Sequence, residues 1–561
     1  MPLQIPSGPE TRSMSFAPDR LSMPVRLLGQ LLLSALTVVA VLLPDHLFGL
    51  LYPTWQVQFS PKIVVAVFLA VFLALGARTL WPYRVLLVFF ALLQLPQLYH
   101  FVYFGTFISP QEVSLLGSEL EEVALSLAGI WLALIAPTLM VLGSYAFMGW
   151  LAGRLSSLRQ RIPMSTVLLV SLLGGVLPVN AWHSTGSQAF YPNPRHYTVK
   201  NTLYAVGWFL GKELPRRFAG EHRQQAFAPY RVAPIQSVLP ANVVLVMGES
   251  LNPDHMGLFG YERDTTPYFS ALKDDPGFYF TRIYSGGVST KVSVPTFFNL
   301  KREPENVQVM YRGDANLFKL AKSRGLQTWW LSTQTSNLVT YADGGAVDHF
   351  ESREDHLDEV EHRKDEVLLD LLEQVDFTRP NFVVLHERGS HSPYERYHTD
   401  EYRFYPEDRA DLDQFRINSY DNSIRFSDAV HHRILELLRQ RSTLPTYVIF
   451  TADHGELLGD EIEGQRLWGH LVLHPKGATV PFILYAINGD SGVLERARAL
   501  PWPTHFELGR FVAGLFGYRV EDPNAQGGVY YVNGKDIAGT GGYMRMQFDH
   551  RERLADWRVV P

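Results

Sequence analysis

The sequence predicts two chemically different parts, an N-terminal five-helix transmembrane bundle and a C-terminal α/β domain with a mostly parallel sheet between helices. Three observations predict it. Of 50 basic and 56 acidic residues, positions 1–182 carry only nine and seven, and positions 183–561 carry the rest. Five long apolar runs fill the first part. In the second, short β-branched or aromatic runs alternate with helical patterns, the signature of strands crossing between layers of helix.

The apolar runs lie at 27–44, 63–81, 85–104, 123–152 and 162–182. Each approaches or exceeds the roughly 18 to 20 residues that cross a bilayer core as helix, with Arg78 reaching out to the interface at the end of the second. One such run would suit a buried core helix, but five in succession with so few charges between them point to a membrane. Arg12, Arg20 and Arg26 precede the first run, Arg78 and Arg84 separate the second from the third, and Arg154, Arg159 and Arg161 separate the fourth from the fifth. The remaining two loops offer only Lys62. This asymmetry predicts a cytoplasmic N-terminus at 1–26 and a multi-pass anchor at 27–182. An odd number of spans then places the second part on the far side, the periplasm in a bacterial inner membrane. The first run lacks the small-residue cleavage pattern of a removable signal and reads as an anchor. Positions 105–122 mix Leu and Val with Glu112, Glu119, Glu121 and Glu122, the pattern of a short amphipathic helix on the outer surface.

Positions 183–240 read as a linker containing a short helix at 201–214, and 241–561 as the folded outer domain. Strands are expected at 243–248, 278–283, 328–332, 382–386, 447–452 and 481–486, with helices at 315–323, 364–375, 412–441 and 505–516. In open α/β sheets, function gathers where strands end at their carboxyl side. The chain has no cysteine, which excludes disulfides, thiolate metal sites and a Cys nucleophile. A metal would need His, carboxylate or hydroxyl ligands. The acidic balance of the outer part argues against nucleic acid as a partner.

Just past the expected strands stand Glu249 and Ser250, Ser285 to Thr290, Glu387 to His391, and Asp453 with His454. Singly, each has a plainer use: Glu249 beside a helix N-terminus, Thr290 as an N-cap, Asp453 closing a loop. Together, on one rim, they favour a site. The fitting chemistry is activation of a hydroxyl by a cation, because a Thr hydroxyl is a poor nucleophile at neutral pH. Glu249, Asp453, His454 and Thr290 would make a four-coordinate oxygen and nitrogen site for zinc.

At these residues the chain resembles the membrane phosphoethanolamine transferases of Gram-negative bacteria, within the alkaline phosphatase/sulfatase superfamily. The matching segments are 243–268 (VVLVMGESLNPDHMGLFGYERDTTPY), 286–297 (GGVSTKVSVPTF), 386–394 (HERGSHSPY), 419–438 (SYDNSIRFSDAVHHRILELL) and 451–456 (TADHGE). The resemblance implies an alkaline phosphatase-like fold, Thr290 as a nucleophile that becomes phosphoethanolamine-modified, and Glu249, Asp453 and His454 as its zinc partners. It implies that His391 and His470 contact the phosphate or a second zinc, with His474 competing for the place of His470. The implied donor is phosphatidylethanolamine, and the implied acceptor a lipopolysaccharide core, lipid A or another envelope glycan. The chain departs from the family at Asn252 and Pro253, where Arg is often found, at Lys291, where a small residue is common, and in lacking cysteine. The segment 330–334 (WLSTQ) looks more like the branch acting on core sugars. A phosphoglycerol transferase and a sulfatase-like hydrolase are the alternatives within the superfamily, although SVPTF lacks the Arg of a sulfatase nucleophile motif. A membrane-anchored scaffold or sensor is the non-enzymatic alternative.

Overall fold

The computed structural model describes residues 22–560 except 53–54, 116–123, 125–126, 184–189, 191, 194, 216–226, 236–239, 337–341, 343–344 and 540. It divides into two compact units, the first comprising 1–100, 107–113 and 132–215, the second 101–106, 114–131 and 216–561.

The first unit contains α1 (Met23–Leu51), α2 (Pro61–Gly76), α3 (Trp81–Phe104), α4 (Trp131–Arg154) and α5 (Ser165–His183). Among the described residues, α1, α3 and α4 are long and apolar enough to cross a membrane, while α2 is a shorter apolar helix. Three such helices thus stand where five spans are expected. The first apolar run extends at both ends because the helix continues through Pro44, and α4 begins at Trp131 rather than 123. Asp45, the acid inside α1, is satisfied by the next helical segment of this unit: it accepts hydrogen bonds from the Thr198 amide and hydroxyl, both at 2.8 Å. That segment, Thr198–Trp208 with a π turn at Phe209–Glu213, starts three residues earlier than the linker helix expected at 201–214. Of the amphipathic stretch at 105–122, the helix Pro110–Leu115 is described. Most of the rest lies outside the described residues, as do positions 1–21.

The second unit is built on a seven-stranded sheet: β1 (Asn242–Gly248), β2 (Phe278–Tyr284), β3 (Gln327–Ser332), β4 (His349–Glu351), β5 (Asn381–His386), β6 (Thr446–Ala452) and β7 (Thr479–Ile487). Its order is β2-β7-β6-β1-β5-β3-β4. The inner strands β1, β5 and β6 are buried along their whole length, as continuous Val, Ile and Leu runs covered on both faces should be. All pairs from β6 to β4 are parallel, but β7 runs antiparallel to both β6 and β2, so the sheet is mixed. The reason is the connection after β6. It makes a hairpin (Leu457–Ile462 with Gln465–Gly469) and a turn of helix at Pro475–Ala478, with no crossover helix to carry the chain back to the opposite edge. The next strand therefore starts at the rim where β6 ended.

Two helices border the carboxyl ends of these strands. α6 (Thr290–Phe298) follows β2, and α7 (Leu412–Arg441) is capped by Asp411, whose carboxylate accepts from the amides of Asp413 and Gln414 at 3.1 Å. Buried acids on α7 are paired. Asp428 accepts the amides of Tyr268 and Phe269 at 2.8 and 3.1 Å, and Asp421 meets His255 and Arg263 at 2.8 and 2.7 Å.

Candidate functional site

The carboxyl ends of β1, β2, β3, β5 and β6 share one rim with the start of β7, and the chemistry collects there. β1 hands over to Glu249 and Ser250. Ser250 adopts φ 56°, the left-handed region, a sparsely populated conformation for a residue with a side chain. The turn lets the Ser250 amide donate to Asp453 Oδ1 at 3.1 Å and its hydroxyl to Glu249 Oε1 at 2.7 Å. β6 ends at Ala452, after which the Asp453 amide still donates to the carbonyl of Gly248 at 3.0 Å. Asp453 and His454 are thereby registered against Glu249. Thr290 opens α6, and its hydroxyl donates to Glu249 Oε2 at 3.0 Å. The loop before it is stitched on two sides. Asn533 donates to the Gly286 carbonyl from both backbone and side chain at 2.9 and 2.8 Å, and the Leu471 amide donates to the Val288 carbonyl at 3.2 Å.

Glu249, Asp453 and His454 are fully buried, and one potential ligand atom from each lies within 4.8 Å of the others. His454 Nδ1 lies 3.0 Å from the Gly455 carbonyl, which can only accept, so Nδ1 carries the proton. Nε2 faces Asp453 Oδ2 at 3.3 Å and Glu249 Oε1 at 3.4 Å, where a neutral ring offers its lone pair to a cation. No hydrogen bond joins them: among the described residues Asp453 Oδ2 and His454 Nε2 have no hydrogen-bond partner. Burial, reinforced by the charge of Glu249, pushes the Asp453 carboxyl well above its usual range. Burial also opposes the charge of Glu249, but His454, His391, His470 and the Ser250 hydroxyl together hold it low. One carboxylate of the pair thus keeps its proton unless a cation sits between them. A divalent metal fits this donor set, because it would bind the two carboxylates and a neutral imidazole together and leave none of their buried polar atoms without a partner. Oxygen and nitrogen donors without sulfur suit zinc.

The histidines beside this cluster sort themselves by position. The ring of His470 lies 4.5 Å from that of His454 and 5.9 Å from that of His391, and His470 Nδ1 is 3.3 Å from Glu456 Oε2. His454, Glu456 and His470 form a second group able to hold a metal. His474 is elsewhere: its ring nitrogen caps the turn at Pro475–Ala478 by accepting from the Lys476 amide, and it packs on Trp557.

Several contributors escape sequence reasoning. Gln334, just past β3, donates to Glu249 Oε2 at 2.9 Å and to the Glu387 carbonyl at 2.6 Å, a place the strand-end rule could have found. Glu387 pairs with His431 of α7, whose Nε2 is 2.9 Å from both carboxylate oxygens. The departure at Asn252 is explained by stitching: its side chain accepts from the Asp254 amide and donates to the Glu456 carbonyl, both at 2.8 Å, while its amide donates to the Tyr420 hydroxyl. It therefore ties the Glu249 turn to the loop that carries His454.

A family model described as Sulfatase matches residues 241–518. The Escherichia coli K12 protein YhbX is 33% identical over 217 residues, 38% of this chain and 37% of that protein. The Kdo(2)-lipid A phosphoethanolamine 7''-transferase of the same strain is 27% identical over 276 residues, 47% of this chain and 48% of that enzyme. The chain thus spans less than half the length of the curated relatives it matches. Among solved structures, the integral membrane lipooligosaccharide phosphoethanolamine transferase A of Neisseria meningitidis shares the fold, with a TM-score of 0.56 at 20% identity, covering 87% of this chain and 95% of that one. Residues 241–518 thus match the Sulfatase family model, and the relatives of this chain in sequence include phosphoethanolamine transferases.

Proposed function

We propose that the chain is a zinc-dependent transferase that moves phosphoethanolamine from phosphatidylethanolamine to a cell-envelope acceptor, a lipopolysaccharide core, lipid A or another glycan. The observation that carries this reading is the convergence of the Thr290 hydroxyl with Glu249, Asp453 and His454. Those four residues would hold the zinc, which when bound supplies positive charge that favours the ionised Thr290 hydroxyl and the developing charge on a phosphoryl oxygen. Thr290 Oγ1 attacks phosphorus as its proton leaves the hydroxyl, and that proton returns to the glycerol oxygen by way of His470 or His391. The bond from phosphorus to the glycerol oxygen breaks, and diacylglycerol leaves with a proton. His470 and His391 stand beside the cluster as donors to the phosphate and the leaving oxygen, or as ligands of a second zinc. An acceptor hydroxyl or phosphate oxygen then attacks the same phosphorus, the bond from phosphorus to Thr290 Oγ1 breaks, and a proton returns to the Thr290 hydroxyl. We further place the chain in a bacterial inner membrane, with five spans over 27–182, a linker at 183–240, and the domain at 241–561 in the periplasm, where a bilayer donor is within reach.

Incubation of the full chain with phosphatidylethanolamine, followed by intact and peptide mass spectrometry, tests the reading. A phosphoethanolamine adduct on the Thr290 peptide is expected, and Thr290→Ala abolishes it. Acceptor modification by the Thr290→Ala protein would overturn the assignment, and a phosphoglycerol adduct from phosphatidylglycerol would replace it with the neighbouring chemistry.

A further inference from the structure

The first unit contains a feature that the transferase reading does not use. α3 and α4 run antiparallel, since the Tyr99 hydroxyl meets Thr138 Oγ1 at 2.7 Å while Arg84 and Trp150 line one groove at the opposite ends of their helices. Between these contacts their facing surfaces leave an apolar groove of about 660 Å³, with small residues Ala91, Ala146 and Gly149 along its lining. From Arg84 to Tyr99 it follows fifteen residues of α3, roughly 22 Å at 1.5 Å per residue. That is most of a bilayer's hydrocarbon thickness and longer than one leaflet.

The two ends of the groove differ. At one end lie Arg84 and Trp150, with the guanidinium of Arg154 5.6 Å from the Trp150 ring. Trp81 and Trp150 are exposed there, the placement of tryptophans at a membrane interface. Neither α3 nor α4 contains an Asp or Glu. Arg84 hydrogen-bonds through its backbone amide to the Leu80 carbonyl, and among the described residues the mouth is cationic without an ion-pair partner for its guanidinium groups, while the body is apolar.

We propose that this groove is a lipid site that seats one acyl chain of an anionic phospholipid, with its phosphate at the Arg84 and Arg154 end. A zwitterionic headgroup would bring its own cation to a mouth that already has two, so a net negative headgroup is preferred. The site is separate from the donor site of the transferase reading and does not depend on that reading.

The test uses the full chain, stripped of lipid in mild detergent, and native mass spectrometry with palmitoyl-oleoyl phosphatidylglycerol and the phosphatidylcholine of the same chains. Wild type is expected to retain phosphatidylglycerol on the order of tenfold better, two basic side chains near an anionic headgroup supplying that factor. Arg84→Gln with Arg154→Gln brings the two lipids close to parity. Gly149→Leu occupies the groove and lowers retention of both; a Cβ at 149 meets Leu87 Cδ1 at 3.7 Å, an ordinary contact, so the helices need not part. Arg161→Gln, an exposed basic residue outside the groove, keeps wild-type behaviour. Equal retention of the two lipids by wild type, or a preference that survives in both the double arginine variant and Gly149→Leu, overturns the proposal.

Discussion

The ion pair beneath the candidate site makes the sharpest demand on the structure. Glu387 and His431 are 1% and 3% exposed, and Nε2 of the imidazole is 2.9 Å from each carboxylate oxygen. Burial opposes the charge on His431, but the Glu387 carboxylate and its hydrogen bond outweigh it and lift the imidazole above its usual range. Replacing His431 by Leu leaves a carboxylate in the interior with no cation, at a cost of about 3–5 kcal/mol. Replacing Glu387 by Leu strands only an imidazole, which can shed its proton, so that change costs about 1–3 kcal/mol. The double replacement removes both desolvated groups and should recover most of the His431→Leu loss. At roughly 2–4 °C per kcal/mol for a domain of 150–250 residues, the single His431 change lowers the unfolding midpoint by on the order of 10 °C. Thermal unfolding of the full chain in detergent, followed by resistance of the outer domain to protease, reads these shifts. The pair also sets a pH dependence. Because the folded pKa is raised above 6.5, its contribution is complete below that value and fades as pH climbs through the raised folded value, so wild type and the double variant should converge in alkaline buffer. A His431→Leu loss under about 1 kcal/mol, well below the range expected for a broken buried pair, or a double variant no more stable than the single one, would refute the reasoning.

Two further predictions concern the rim. If the cluster of Glu249, Asp453 and His454 binds zinc, a hundredfold excess of the metal over its Kd raises folding stability by about 2.7 kcal/mol; a calorimetric scan with and without chelator should show this in wild type and not in His454→Gln, and equal shifts in both would remove the metal from this site. Asn533 is fully buried, donates to the Gly286 carbonyl, and accepts from the Lys301 ammonium at 3.0 Å. Asn533→Ala should therefore loosen the loop that presents Thr290 and slow adduct formation by on the order of a hundredfold, with zinc affinity unchanged; an unaltered rate would show that the backbone bonds at Gly286 and Val288 suffice.

The strands of the outer domain were legible because a buried strand in such a sheet leaves a mark that needs no partner: VVLVMG, FVVLH and YVIFTA are apolar on both faces. Strand ends came with them, and so did the positions of Glu249, Asp453 and His454. Direction is different. β7 is as apolar as its neighbours, and nothing in TVPFILYAI records that it runs the other way; that depends on the hairpin before it returning the chain to the same rim. The same limit applies to every contributor reached over a long sequence separation. Gln334 comes to Glu249 across 85 positions, His431 to Glu387 across 44, and Asn533 to Gly286 across 247. Nothing near any of them in the chain announces the partner. In the membrane part, hydropathy marks apolar stretches but not where a helix passes through a proline, which is why α1 outruns the first apolar run.

Asn252 shows how such contacts give an odd residue a purpose. Read alone, it is a departure from the motif the resemblance implies, and it lends weight to a scaffold that has lost its chemistry. In the structure its side chain joins the turn after β1 to the loop after β6, the two segments that supply Glu249 and His454, and its amide is anchored on Tyr420 of α7. A charged guanidinium has no acceptor oxygen and could not take the Asp254 amide as Asn252 does. This position therefore fixes the distance between two members of the proposed metal set. A decayed site would have no need of that link, because the two segments it holds together are the ones that bring Glu249 and His454 to the rim.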